Sequence, residues 1–191
     1  MHRKSLTALI FVLTLALTSA WGQKEDKLQL KGKQPEPEHS LKINHAKPDT
    51  VWLEYKQAGK KLMADVYVFS DQPIAGGQIP LKFGNGKSPL SVDSVVFDKA
   101  RTAKFDITND GVDNANQILR IGFLADISGR KPPLQAGRGK LLTIYFDLKT
   151  DKPYEVEVDT VTLAGGYDLL LADQAAQNIP VTFKKSKFKT K

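Results

Sequence analysis

The chain contains no cysteine. That absence excludes disulfide staples, a thiol nucleophile and a lipidated N-terminal cysteine, so whatever folds here rests on an apolar core. Histidine is nearly as scarce, with three in 191 residues. His2 lies in the first segment, and His39 and His45 fall in a polar stretch. A hydroxyl nucleophile needs a base beside it, and histidine is the usual one near neutral pH. No Gly-x-Ser-x-Gly turn is present either. Acidic residues are plentiful, but no pair sits in a setting that marks the two carboxylates of a glycosidase. The sequence therefore reads as non-catalytic. After residue 22 there is one tryptophan, Trp52. Trp52 and Tyr55 have opposite parity on one strand, so they do not form the aromatic strip that stacks on sugar rings.

There is also no apolar run long enough to span a bilayer of about 30 Å. The longest, Leu6 to Leu17, follows the basic start His2-Arg3-Lys4 and precedes the small residues Ala20 and Gly22. That arrangement predicts a secretory signal peptide over residues 1–22, cleaved after Gly22 or after Ala20, and hence no transmembrane anchor in the secreted product. Residues 23–48 are polar and lysine-rich, with Pro35, Pro37 and Pro48, and read as a leader or linker.

The formal net charge of +7 is unevenly placed. Arg3 and Lys4 leave with the signal peptide, and Lys184 to Lys191 holds five lysines and no acid, so residues 23–183 sum to zero. A nucleic-acid-binding domain spreads basic side chains over a folded face with aromatics among them; this body does not. The lysine run predicts a solvated, disordered basic tail over 184–191.

Between these ends the signal is all-β. Val51, Leu53 and Tyr55 alternate with polar neighbours, and Leu62 to Phe69 is apolar on both faces. Ile74 to Phe83, Leu90 to Phe97, Gln117 to Ala125, Leu141 to Leu148, Glu155 to Val161, Asp168 to Leu171 and Ile179 to Phe183 follow, separated by glycine and proline turns. This predicts about nine short strands over 49–183 and no helix, an antiparallel β-sandwich of jelly-roll type. Pro80 belongs at a sheet edge or a bulge, with Gly76-Gly77 fitting the bulge. Residues 98–116 read as irregular, apart from a short piece at Ala103 to Ile107. Within them Asp106, Asp110 and Asp113 give the chain its best candidate metal loop, with the oxygen-rich composition calcium prefers but without the alternating spacing of an EF-hand. An Asx-rich turn accounts for the same residues.

Residues about 60–172 resemble a cohesin domain, the module that receives dockerins in cellulosome scaffolds. The resemblance rests on five pieces in order. They are the strands Met63 to Phe69, Ile74 to Phe83 and Leu90 to Phe97, the segment Phe-Leu-Ala-Asp-x-Ser-Gly at 123–129, and the strand Gly-x-Leu-x-x-x-x-Phe at 139–146. It implies a jelly-roll sandwich and a partner, a secreted or envelope protein bearing a dockerin, bound on the flat outer face of one sheet. The implied contact positions are Gly76, Gln78, Phe123, Ala125, Asp126 and Gly129. Well-known dockerin-binding cohesins place an Asn and an Asp where this chain has Gly76 and Gln78. Cohesins share their fold with bacterial cellulose-binding modules, so binding to a polysaccharide is the alternative.

Overall fold

The computed structural model describes residues 48–191. The expected signal peptide and leader, with His39 and His45, lie outside the described residues. Period-two alternation builds two sheets. In the first, β1 (Asp49–Ala58) and β2 (Lys61–Ser70) form a hairpin across Gly59, whose φ of 56° is the left-handed conformation a two-residue turn needs. β7 (Gly137–Leu148) joins β2 to β4 (Leu90–Val96), and β11 (Val181–Phe183) lies parallel to β1, giving the order β11-β1-β2-β7-β4. The second sheet runs β10 (Asn178–Ile179), β9 (Leu170–Ala172), β3 (Gly76–Phe83), β6 (Ile118–Leu124) and β5 (Ile107–Asp113). β8 (Glu155–Thr160) pairs the far end of β3, and β12 (Ser186–Lys189) pairs β8. Every pairing except β1 with β11 is antiparallel.

The inward-facing residues of both sheets form one core. Val51 and Leu53 of β1, Leu62 to Val68 at alternate positions of β2, and Leu142, Ile144 and Phe146 of β7 meet Ile79, Leu81, Phe83, Leu119 and Ile121 from the second sheet. Phe146 and Phe83 meet edge to face across the sandwich, with ring centroids 5.4 Å apart.

The all-β sandwich expected from the sequence is what forms, with twelve strands among the described residues rather than nine. Residues 108–113, expected to be irregular, belong to β5, and of the short piece expected at Ala103 to Ile107 only Ile107 is in a strand. An edge strand is kept from pairing with other chains by polar side chains, so it shows little apolar alternation. Pro80 is at neither an edge nor a bulge. It sits mid-strand, opposite Arg120, in an unbroken register with β6. On its other side the neighbour changes from β9, which pairs Gly76 to Gln78, to β8, which pairs Leu81 to Phe83. The missing N–H therefore falls at a seam where no ladder partner is lost. Gly77 does not mark a bulge but a close approach: a Cβ there would lie 2.7 Å from Phe123 Cζ and 2.9 Å from the Leu170 carbonyl.

The expected disordered tail is also corrected. Residues 186–189 form β12, with Ser186 and Phe188 facing inward and the lysines outward. Phe188 packs on Tyr55, ring centroids 5.3 Å apart, and the Tyr55 and Ser186 hydroxyls are hydrogen-bonded at 2.6 Å. Lys185 pairs with Glu157 and Asp159, and Lys187 with Glu155 and Glu157.

Burial pushes the Tyr55 phenol up to about 12, only partly offset by its bond to Ser186. The phenol stays protonated in the folded state at pH values where the unfolded chain ionises near 10. Its contribution to stability is thus intact below pH 10 and is lost as pH rises from 10 towards 12. Burial also raises Tyr154 and Tyr167, so ultraviolet tyrosinate titration should show several tyrosines ionising late, the last of them missing from Tyr55→Phe; ionisation of all five tyrosines near 10 would contradict this.

Candidate functional site

The outer faces of the two sheets differ. On the first sheet, residues of one parity point outward: Trp52 and Glu54 from β1, Asp65, Tyr67 and Phe69 from β2, Arg138 and Lys140 from β7. Most of this face is tied up by its own interactions, with Phe69 the exception at 45% exposed. Trp52 stacks on Tyr67, centroids 5.6 Å apart, and the Arg138 guanidinium lies 5.1 Å from one ring centroid and 5.4 Å from the other. Glu54 accepts from Arg138 at 2.6 Å and from the Trp52 indole at 3.0 Å. Lys140 pairs with Asp65 at 3.2 Å, and Lys61 with Asp147 at 2.7 Å and Asp93 at 3.0 Å.

On the second sheet the register places Gly76, Gln78, Pro80 and Lys82 of β3 beside Leu124, Gly122, Arg120 and Ile118 of β6, all on the outer face. β9 adds Leu170 opposite Gln78 and Ala172 opposite Gly76; β5 adds Ile107 opposite Leu124 and Asn109 opposite Gly122. At the end where β3 begins, the strand residues of this face are uncharged, and Asp126, Lys131 and Asp173 stand around a cleft at its rim. Gln78 is its central polar group, flanked by Gly122 on one side and Leu170 on the other. Glycines at 76 and 122 keep it low: a Cβ at 76 would press on Leu124 at 3.2 Å, and one at 122 would collide with the Asn109 side chain. Ile107 is 39% exposed and Ile127, on the following turn, is 71% exposed. A contiguous uncharged patch of this kind marks an interaction surface more often than scattered apolar residues do.

The turn after β6 explains the Ala-Asp-x-Ser-Gly segment. Asp126 accepts hydrogen bonds from the Ser128 N–H at 2.9 Å, the Ser128 hydroxyl at 2.7 Å and the Lys131 N–H. Gly129 has a φ of 71°, the left-handed conformation that closes the turn. Desolvation alone would raise the Asp126 carboxyl, but these donors outweigh it and hold the group well below the usual carboxylate range. Asp126 thus organises the turn rather than offering free lone pairs to a partner.

Of the six positions implied as partner contacts, Gly76, Ala125, Asp126 and Gly129 line one cleft of about 420 Å³ at this end of the sheet, and Gln78 lies two residues along β3. Phe123 and Ala125 need correction as contacts through their side chains. Phe123 shares parity with Leu119 and Ile121 and points into the sandwich, 4% exposed, while Ala125, 3% exposed, lies beyond the paired strand and offers a partner little more than the wall of the cleft. Residues missed by sequence reasoning are Gly122, Leu124, Leu170 and Ile107, whose common face follows from strand register, which a single sequence does not reveal.

The candidate calcium loop is not assembled. Asp106 accepts from Lys131 Nζ and the Ile127 N–H, Asp110 lies along β5, and Asp113 accepts from Asn116 at 2.8 and 3.0 Å. A strand rises about 3.3 Å per residue, so Asp106 and Asp113 are held some ~20 Å apart and do not converge on one ion. Among the described residues no group of three or more His, Cys, Asp or Glu is placed to hold a metal. The Asx-rich composition serves loop geometry: the Asn114 amide bridges the β4 backbone at Val92, accepting at 2.7 Å and donating at 3.0 Å. The sugar platform also lacks its parts, since Tyr55 faces inward and Arg138 lies over the Trp52–Tyr67 pair. Among the described residues no helix is long and apolar enough to cross a membrane.

No protein-family model matches the chain, and no curated protein matches it by sequence. Solved structures do. The non-cellulosomal cohesin of the hyperthermophilic archaeon Archaeoglobus fulgidus is 15% identical, with a TM-score of 0.54 over 75% of this chain and 91% of that one. The third cohesin of ScaC from Acetivibrio cellulolyticus, solved with the ScaB dockerin, is 14% identical, with a TM-score of 0.60 over 73% of this chain and 96% of that one. The OlpC cohesin of Clostridium thermocellum, solved with a dockerin, is 12% identical, with a TM-score of 0.59 over 74% and 92%. At these identities the likeness establishes the fold. The chain contains a cohesin-like β-sandwich domain.

Proposed function

We propose that this chain is a secreted, non-catalytic binding module that docks another protein, of dockerin type, on the outer face of its second sheet. The observation that carries the reading is the contrast between the two faces. The first is mostly engaged in ion pairs and a cation–π cluster beside an exposed Phe69, and the second leaves Gln78, Gly122, Leu124 and Leu170, over a floor at the buried Gly76, as a low-relief patch of uncharged strand residues rimmed by Ile107, Asp126 and Gly129. Cohesins with this fold are solved in complex with dockerins, which supports a helical partner of that kind. Secretion is supported by the Leu6 to Leu17 run with its basic start and small-residue end. With Gly76 and Gln78 in place of an Asn and an Asp, recognition here rests on apolar contact around one amide rather than on paired polar anchors.

The test is calorimetric titration of the full chain with a panel of calcium-loaded dockerin modules. One partner should bind one to one. Gln78→Lys, which puts a charge at the centre of the patch, should weaken it at least about tenfold, some 1.4 kcal/mol. Glu54→Lys, on the other face, should leave it nearly unchanged. Equal effects from both variants would remove the second sheet as the docking face.

A further inference from the structure

A second and larger cleft, of about 640 Å³, lies on the other side of the turn that Asp126 organises. Two connections wall it: residues 99–105, after β4, and residues 131–135, before β7. Its floor is apolar, formed by Phe105, Ala125, Pro132, Pro133 and Leu134, and Phe105 is backed by Phe123 with ring centroids 6.0 Å apart. Every charged side chain on the lining is a cation: Arg101, Lys104 and Lys131.

The walls are preformed. The Arg101 N–H bonds the Lys140 carbonyl at 2.9 Å, and the Thr102 hydroxyl donates to the Leu141 carbonyl, which straps the first connection to β7. The Arg101 stem lies over Gly139, where any Cβ would collide with it. Its guanidinium donates to the carbonyls of Gly137, at 3.0 Å, and Gln135. Both acceptors are neutral, so the charge is held in place without being cancelled, and part of the five-donor fork is left over. Lys131 is paired with Asp106. Lys104 is exposed and has no partner among the described residues.

We propose that this cleft binds a small organic carboxylate with an aromatic or aliphatic body. The size falls within the range of small-molecule pockets, about 300–1,000 Å³. The apolar floor takes the body, and Arg101 and Lys104 take the carboxylate, Arg101 through a planar fork that suits it. The site adjoins the cleft at the docking face, with Ala125, Lys131 and Pro133 lining both, but Arg101, Lys104 and Phe105 line it alone.

The experiment is a titration of the isotope-labelled full chain, followed by amide shifts, with 1-naphthoate and with its neutral counterpart 1-naphthalenemethanol. The acid is expected to shift Phe105, Ala125 and Leu134, and to bind at least about tenfold more tightly than the alcohol. Lys104→Glu should weaken the acid about tenfold and leave the alcohol unchanged, whereas Lys87→Glu, in the β3–β4 turn, should do neither. Shifts elsewhere, equal binding of acid and alcohol, or no effect of Lys104→Glu would each overturn the assignment.

Discussion

Phe146→Ala is expected to lower the unfolding free energy by about 3–5 kcal/mol, the range for emptying a fully buried aromatic position. Phe146 is on β7, the strand that joins β2 to β4, and its ring is buried against Phe83 of the opposite sheet. The substitution removes the ring's own burial and also the aromatic contact that joins the sheets. Strand ladders hold both sides of the gap, so little collapse can refill it. A domain of this size is stable by about 5–15 kcal/mol, so the loss is a large fraction of the whole. Urea unfolding followed by circular dichroism reads it as a lower midpoint at unchanged slope. A loss below about 1 kcal/mol would mean the two sheets do not pack through this pair.

Deleting residues 184–191 is expected to destabilise the domain by at least about 2 kcal/mol, and the cause is packing rather than charge. The lysine pairs with Glu155, Glu157 and Asp159 are solvent-exposed, and such pairs contribute about 0–1 kcal/mol. Burying a phenylalanine side chain contributes about 1.5–3 kcal/mol when complete, and Phe188 gains much of that against Tyr55. The deletion also strips β8 of one ladder and removes the buried Thr190, whose hydroxyl and N–H bond Tyr154. The comparison that separates the terms is Phe188→Ala against the double change Lys185→Ala with Lys187→Ala. The first should reproduce most of the deletion and the second should cost under about 1 kcal/mol. If the deletion leaves the melting temperature unchanged, β12 is not part of the folded domain.

The C-terminal strand shows where sequence reading stops. Ser186 and Phe188 alternate with lysines, which is the pattern of a half-buried strand, but five lysines in eight residues outweigh one apolar residue in any composition argument. Its acidic partner strand lies about 30 residues away, and only register brings the two charge rows together. β7 was legible because its alternation is long and its inward residues are large. β5 was not, because an exposed edge gives polar and apolar residues nearly equal standing. At the candidate site, resemblance found Gly76 and Gln78. Simple parity along Leu119 to Leu124 was enough to place Phe123 in the core with Ile121. The Ala-Asp-x-Ser-Gly segment was legible as a pattern, while its use as a turn organiser needed the Lys131 amide, five residues further on.

A partner docked as proposed would cover the second sheet. Hydrogen exchange of the full chain, alone and saturated with a dockerin module that binds it, tests this most directly. New protection is expected in β5, β6 and the first half of β3, with β1, β2 and β7 unchanged. Protection confined to β1, β2 and β7, around Trp52, Tyr67 and Arg138, would contradict it.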